Sequence, residues 1–127
     1  MSWVADTVAS FGRSVGLPGL ALDDEGSLQL GALGGALIGL LNLDDVREPE
    51  VVVYRSVPLD FAFERKLRRS LRLADFRQRR SWPVQVAVVD ESLTLALRIP
   101  QRAFTLDAFE QALSELTRMH ALLDGRA

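Results

Sequence analysis

The sequence predicts a single α+β domain over residues 1–127, an antiparallel twisted sheet with helices in the order αβββαββα. Three observations carry that expectation. Val84, Val86 and Val88 alternate with other residues, Asp90-Glu91-Ser92 turns the chain, and Leu93, Leu95, Leu97 and Ile99 alternate back, which describes a hairpin. Apolar stripes at helical spacing occur at both ends and in the middle of the chain, separated by runs of strand-like sequence. Hydrophobic residues at 48% and charged residues at 25% of 127 residues suit one globular core.

Val4, Val8, Phe11 and Val15 share one helical stripe, with Ser2 placed to cap it and Gly16 and Pro18 to end it, so residues 3–15 read as the first helix. The turn signal Asp23-Asp24-Glu25-Gly26 leads into Ser-Leu-Gln-Leu, a short first strand. ALIGLLN at 36–42 makes a second strand and VVVYRSV at 51–57 a third, with the polar loop DDVREPE between them. Pro58 stops the third strand, and Asp60 is placed to cap a second helix. In that helix Phe63, Leu67, Leu71 and Ala74 form the apolar stripe, opposite Arg65, Arg68, Arg69 and Arg72. Trp82-Pro83 opens the hairpin. Thr105 then caps a last helix whose stripe is Leu106, Phe109, Leu113, Leu116, His120 and Leu123, ended by Gly125.

Residues 31–41, GALGGALIGLL, fit no simple class at first sight. Gly31, Gly35 and Gly39 fall at the small-xxx-small spacing of packed membrane helices. The apolar run from Leu30 to Leu41 is only twelve residues, however, where a span needs about twenty. Inside a soluble helix each glycine would cost about 1 kcal/mol relative to alanine. No Gly-Lys-Ser/Thr follows and no GxGxxG is present, which excludes the common phosphate loops. A glycine-containing strand with a bend or a close backbone neighbour is what remains.

Composition excludes several functions. Cysteine is absent, so disulfides, thiol catalysis and cysteine metal sites are excluded, in keeping with a reducing cytoplasm. The first residues carry Asp6 and no basic region before an apolar block, so no secretory signal is expected. His120 is the one histidine; it lies on an apolar stripe, where a packed imidazole is the ordinary outcome. No G-x-S-x-G elbow exists, and zinc would need more ligands than one imidazole. The acidic groups Asp23-Asp24-Glu25, Asp44-Asp45 and Asp90-Glu91 fall in turns, where solvated carboxylates belong. An enzyme is not expected, and no cofactor or metal.

Net charge is −2, but residues 64–80 hold eight basic and two acidic residues, a local +6 that leaves −8 elsewhere. A basic helix of this kind can meet nucleic-acid phosphates, and a small nucleic-acid-binding regulator is one reading of it. The other is a solvated or protein-contacting face, because the arginines lie opposite a clean apolar stripe and no base-reading motif accompanies them.

The element order, the stretch FGRSVGLPGLALDDEGSLQL at 11–30 and the stretch SLTLALRIPQRAFTLDAFEQAL at 92–113 resemble class I type III secretion chaperones. The resemblance covers nearly the whole chain and implies a cytoplasmic bacterial protein, neither enzymatic nor membrane-inserted, that uses no nucleotide. It implies dimerisation through the middle helix and late strands, here Phe63, Leu67, Leu71, Val84, Val86 and Val88. The implied partner is a second small chaperone subunit, YscB-like, in a heterodimer. The implied cargo is a secreted gatekeeper protein, YopN-like, held extended and kept fit for export, with no nucleic acid involved. Candidate cargo contacts are Val4, Val8, Phe11, Leu28, Leu30, Leu37 and Gly39. Strand addition to a sheet edge with apolar anchors would supply the binding, Gly35 and Gly39 admitting a neighbouring backbone. Equally, ALIGLLN is readable as a central strand buried under the first and last helices.

Overall fold

The computed structural model describes residues 3–44, 47–59, 63–73 and 82–123. The elements run α1 (Trp3–Ser14), β1 (Ser27–Gly31), β2 (Leu37–Leu43), β3 (Glu50–Pro58), α2 (Phe63–Leu73), β4 (Val84–Val89), β5 (Ser92–Pro100) and α3 (Leu106–Leu123). This is the αβββαββα order, and the five strands form one wholly antiparallel sheet ordered β1-β2-β3-β5-β4. Ser2, Asp60, Ala74 and Gly125, to which the sequence assigns caps, a stripe position and a helix end, lie outside the described residues.

Register decides which side chains enter the core. Leu40 pairs with Val53, Val53 with Leu97, and Leu97 with Val84, so these four share one face. Along β5 the alternation is complete: Leu93, Leu95, Leu97 and Ile99 are all buried, with half-buried neighbours between them. Burying a side chain of this size contributes about 1.5–3 kcal/mol, which explains why the most regular apolar strand lies inside the sheet. α3 covers the same face through Phe109, Ala112, Leu116 and Met119, and α1 adds Val4, Val8 and Phe11 to the cluster. Phe109 links the layers, its ring 4.6 Å from that of Phe11 and 5.4 Å from that of Phe104.

Turn chemistry sets the boundaries. Thr105 Oγ1 accepts a hydrogen bond from Ala108 N at 3.1 Å, so the expected cap of α3 is in place. Asp90 and Glu91 adopt φ of 47° and 62°, the paired positive values of the two-residue turn that matches strand twist in hairpins. The first helix ends one residue earlier than expected. Leu17 N donates to Gly12 O at 2.7 Å, closing α1 at Ser14 and turning Val15 out to 51% exposure. Val15 therefore leaves the stripe, and Gly12 is buried beside Phe11.

GALGGALIGLL is not one strand. It closes β1, makes a tight 3-10 turn at Leu33–Gly35 and opens β2. Gly34 and Gly35 carry φ of 76° and 80°, which β-branched or bulky residues adopt only at a cost, so this pair of glycines makes the β1–β2 hairpin.

Candidate functional site

The helices lie against one face of the sheet and leave both edges, β1 and β4, without a strand neighbour among the described residues. Edge strands ordinarily carry lysine, proline or an inward charge that blocks pairing with another chain. Here β1 reads SLQLG and β4 reads VQVAVV, with no charge and no proline in either. β4 is open for strand addition, and β1 is open at Gln29 and Gly31, its Ser27 N and O being bonded to Asp23.

β1 has the better-formed surroundings. Leu28 and Leu30 point to the helix side, half-buried, and with Ile38, Phe109 and Leu113 they line a small apolar crevice between the β1–β2 hairpin and α3. Phe109 is packed from behind by the rings of Phe11 and Phe104. A chain added at β1 would gain main-chain hydrogen bonds, and its alternate side chains would lie on the helix side, over Leu28 and Leu30.

The structure redistributes the cargo residues expected from the sequence. Val4 and Val8 are fully buried and Phe11 is 6% exposed, so all three belong to the core and present no surface to a partner. Helical spacing could not separate a stripe facing cargo from one facing the sheet. Leu28 and Leu30 are accessible at the crevice, whereas Leu37, 39% exposed, lies on the opposite face of the sheet. Gly39 is buried, and it admits no foreign backbone. The Tyr54 ring lies across it from the neighbouring strand, and a Cβ on Gly39 would overlap Cζ, Oη and Cε1 of that ring. Gln29 Nε2 donates to Tyr54 Oη at 3.3 Å, holding the ring down. Residues 36–42 thus lie between β1 and β3 with Leu40 fully buried in the cluster that α1 and α3 cover, while Leu37 and Leu41 on the other face are exposed. Sequence reasoning missed Tyr54, Phe109 and Leu113 here, because only strand register and the docking of α3 bring them to this corner.

Of the candidate dimer residues, Val84 is 9% exposed, while Leu67 and Val86 are half-buried and packed against the core. Val88 is 48% exposed and Val89 51%, both at the hairpin end of β4. The side chains of Phe63 and Leu71 lie outside the described residues. On α2, Arg65, Arg68 and Arg72 are exposed, and Arg69 reaches the Leu123 carbonyl at 3.5 Å.

His120 is 3% exposed. Arg55 donates to its Nδ1 at 2.7 Å, which places the proton of the neutral ring on Nε2, facing the Leu93 carbonyl at 3.3 Å. That arrangement ties α3 to β3 and β5 and exposes no basic nitrogen. The acidic turns have structural tasks as well. Asp23 Oδ1 accepts from Glu25 N and Ser27 N, both at 2.9 Å, and Asp44 accepts from Asn42 and Gln101. Among the described residues no group of three or more acidic or histidine side chains converges as metal ligands, and no helix is long and apolar enough to cross a membrane.

Three solved structures share this architecture. A chain of the ExsC–ExsE complex superposes with a TM-score of 0.70 at 24% identity, covering 93% of this chain and 90% of that one. The Yersinia pestis type III secretion chaperone SycH, solved with a stable fragment of YscM2, gives 0.68 at 13% identity over 94% of this chain and 98% of SycH. A chain of the HopA1–SchA chaperone–effector complex gives 0.67 at 15% identity, covering 95% and 91%. No family model matches the chain, and no curated protein does. The likeness establishes the fold: an α+β unit with a five-stranded antiparallel sheet, the architecture seen in a type III secretion chaperone.

Proposed function

We propose that this protein is a type III secretion chaperone subunit that holds a secreted protein in extended form and aids its delivery to the export apparatus. The observation that carries the reading is an uncharged edge strand, β1, open at Gln29 and Gly31 beside a small apolar crevice on this fold. A cargo segment paired with β1 as a strand cannot fold on itself, and apolar residues laid over Leu28 and Leu30 add about 25 cal/mol per Å² of apolar surface they cover. The sequence phrases MSWV, GSLQL and FEQAL narrow the resemblance to SycN, which favours a YopN-like gatekeeper as cargo and a YscB-like second subunit. That subunit would meet α2 and the open edge of β4.

The test is capture followed by amide exchange. The protein is co-expressed with a second small subunit and a secreted gatekeeper, and the purified complex is weighed intact. Exchange of the Gln29 and Gly31 amides, which point away from β2, should then slow at least about tenfold on cargo binding, as strand pairing protects the β1 edge. Unchanged exchange there in a complex that does form would refute β1 as the docking edge. Salt separates the second reading, which rests on the exposed Arg65, Arg68 and Arg72. Apolar capture should persist as salt rises, whereas nucleic-acid binding through those arginines would fall steeply with it.

A further inference from the structure

An open cleft lies where β3 begins and β5 ends, away from the β1 crevice. Its walls are the segment from Arg47 to Glu50, the Trp82–Pro83 step and the chain from Arg98 to Arg102. The walls are tied together: Gln101 N donates to Pro49 O at 3.0 Å, and Glu50 pairs with Pro100 in the sheet. Pro49, Pro83 and Pro100 line the cleft and stiffen its backbone. Of the three guanidiniums, Arg98 is committed to Glu50, Nε to Oε2 at 2.6 Å. Arg47 and Arg102 are exposed, and among the described residues neither makes an ion pair or a side-chain hydrogen bond. Trp82 is half-buried, packed against the core while also lining the cleft.

We propose that this cleft is a second docking point, which takes a single acidic side chain of an extended polypeptide on Arg47 and Arg102, with the neighbouring apolar residue against Trp82. It rests on the reading that the protein holds an extended polypeptide. Planar guanidiniums are matched to carboxylate oxygens, and two of them without partners on tied walls are suited to receive one. With Glu50 neutralised by Arg98, the charges left on the walls are Arg47, Arg102 and Glu48, a surplus of one positive charge that matches one carboxylate better than a phosphate or a nucleic-acid backbone. The indole and the prolines favour an apolar neighbour over a second charged residue. The ligand class is an acidic residue flanked by apolar ones, distinct in chemistry from the uncharged strand that suits β1.

Fluorescence tests this directly. In a Trp3→Phe background Trp82 is the sole indole, and the protein is titrated with a blocked peptide carrying one Glu between leucines, then with its Gln counterpart. The Glu peptide should shift Trp82 emission and bind about tenfold more tightly than the Gln peptide, as a charge-assisted contact predicts. The double variant Arg47→Gln, Arg102→Gln should lose that preference, and its melting temperature should be unchanged because both side chains are exposed. Equal response to the two peptides, or an undiminished preference in the double variant, would overturn the proposal. So would an RNA oligonucleotide that binds this cleft at physiological salt in preference to the peptide. Failure here with β1 protection intact would sink this docking point alone. Peptide binding without β1 protection would sink the β1 reading instead.

Discussion

Replacing Gly39 by Val should destabilise the protein in the presence of Tyr54 and stabilise it in its absence. With Tyr54 in place, the new side chain overlaps the ring and drives it off β2. The displaced ring re-exposes on the order of 50 Å² of apolar surface, worth about 1.3 kcal/mol, and loses the Gln29 hydrogen bond, worth about 0.5 kcal/mol at an exposed site. Against this, removing glycine from a strand interior returns about 0.5–1 kcal/mol. The net loss is about 1 kcal/mol. In a Tyr54→Ala background the overlap is gone, so the same substitution should add about 0.5–1 kcal/mol of stability. Urea unfolding of the four proteins in the cycle gives both numbers, provided the slopes agree. A Gly39→Val effect of the same sign and size in both backgrounds would refute the idea that the ring is what the glycine accommodates.

If β4 meets another subunit, Val88→Asp should give a folded monomer, because Val88 is 48% exposed in the single chain but would bury an unpaired charge in that interface. Leu67 and Val86 are poorer probes, since both also pack against the core. Sedimentation decides it: a wild-type chain that stays monomeric with every candidate subunit, or a variant that still assembles, removes β4 from the interface. Thr105→Ala should cost about 1 kcal/mol of stability through loss of the bond from Ala108 N, and Thr105→Ser should recover most of it; equal melting of all three would show that the cap is idle.

Local pattern was enough for the β4–β5 hairpin and for α3, where period and turn residues agree. Leu93 to Ile99 alternate without a break, and Thr105 opens a stripe that does become the buried face. Pattern fails where the same residues serve two purposes. GALGGALIGLL is uniformly apolar, so nothing in it distinguishes a bent strand from two strands and a turn. Only the backbone angles of Gly34 and Gly35 do. Val4, Val8 and Phe11 show the complementary failure, since a stripe announces burial but not what it is buried against. The resemblance-based site suffered most. Tyr54 over Gly39, the Phe109–Leu113 wall and the Arg47–Arg102 cleft each join residues far apart in the chain, and neither period nor propensity encodes such meetings.

Strand order has a consequence for the birth of the molecule. β5 separates β3 from β4, so Val53 must wait for Leu97, forty-four positions later, before its strand is paired on both sides. At roughly 5–20 residues per second of synthesis that interval is about 2–9 s. Throughout it the nascent meander β1-β2-β3 carries two bare margins, one of them the valine run Val51-Val52-Val53. Closure of the sheet is therefore a late, long-range event that joins two separately formed halves along one seam, and such pairings are intrinsically slow. A protein proposed to keep another chain from folding prematurely is itself, for those seconds, a chain of the same kind.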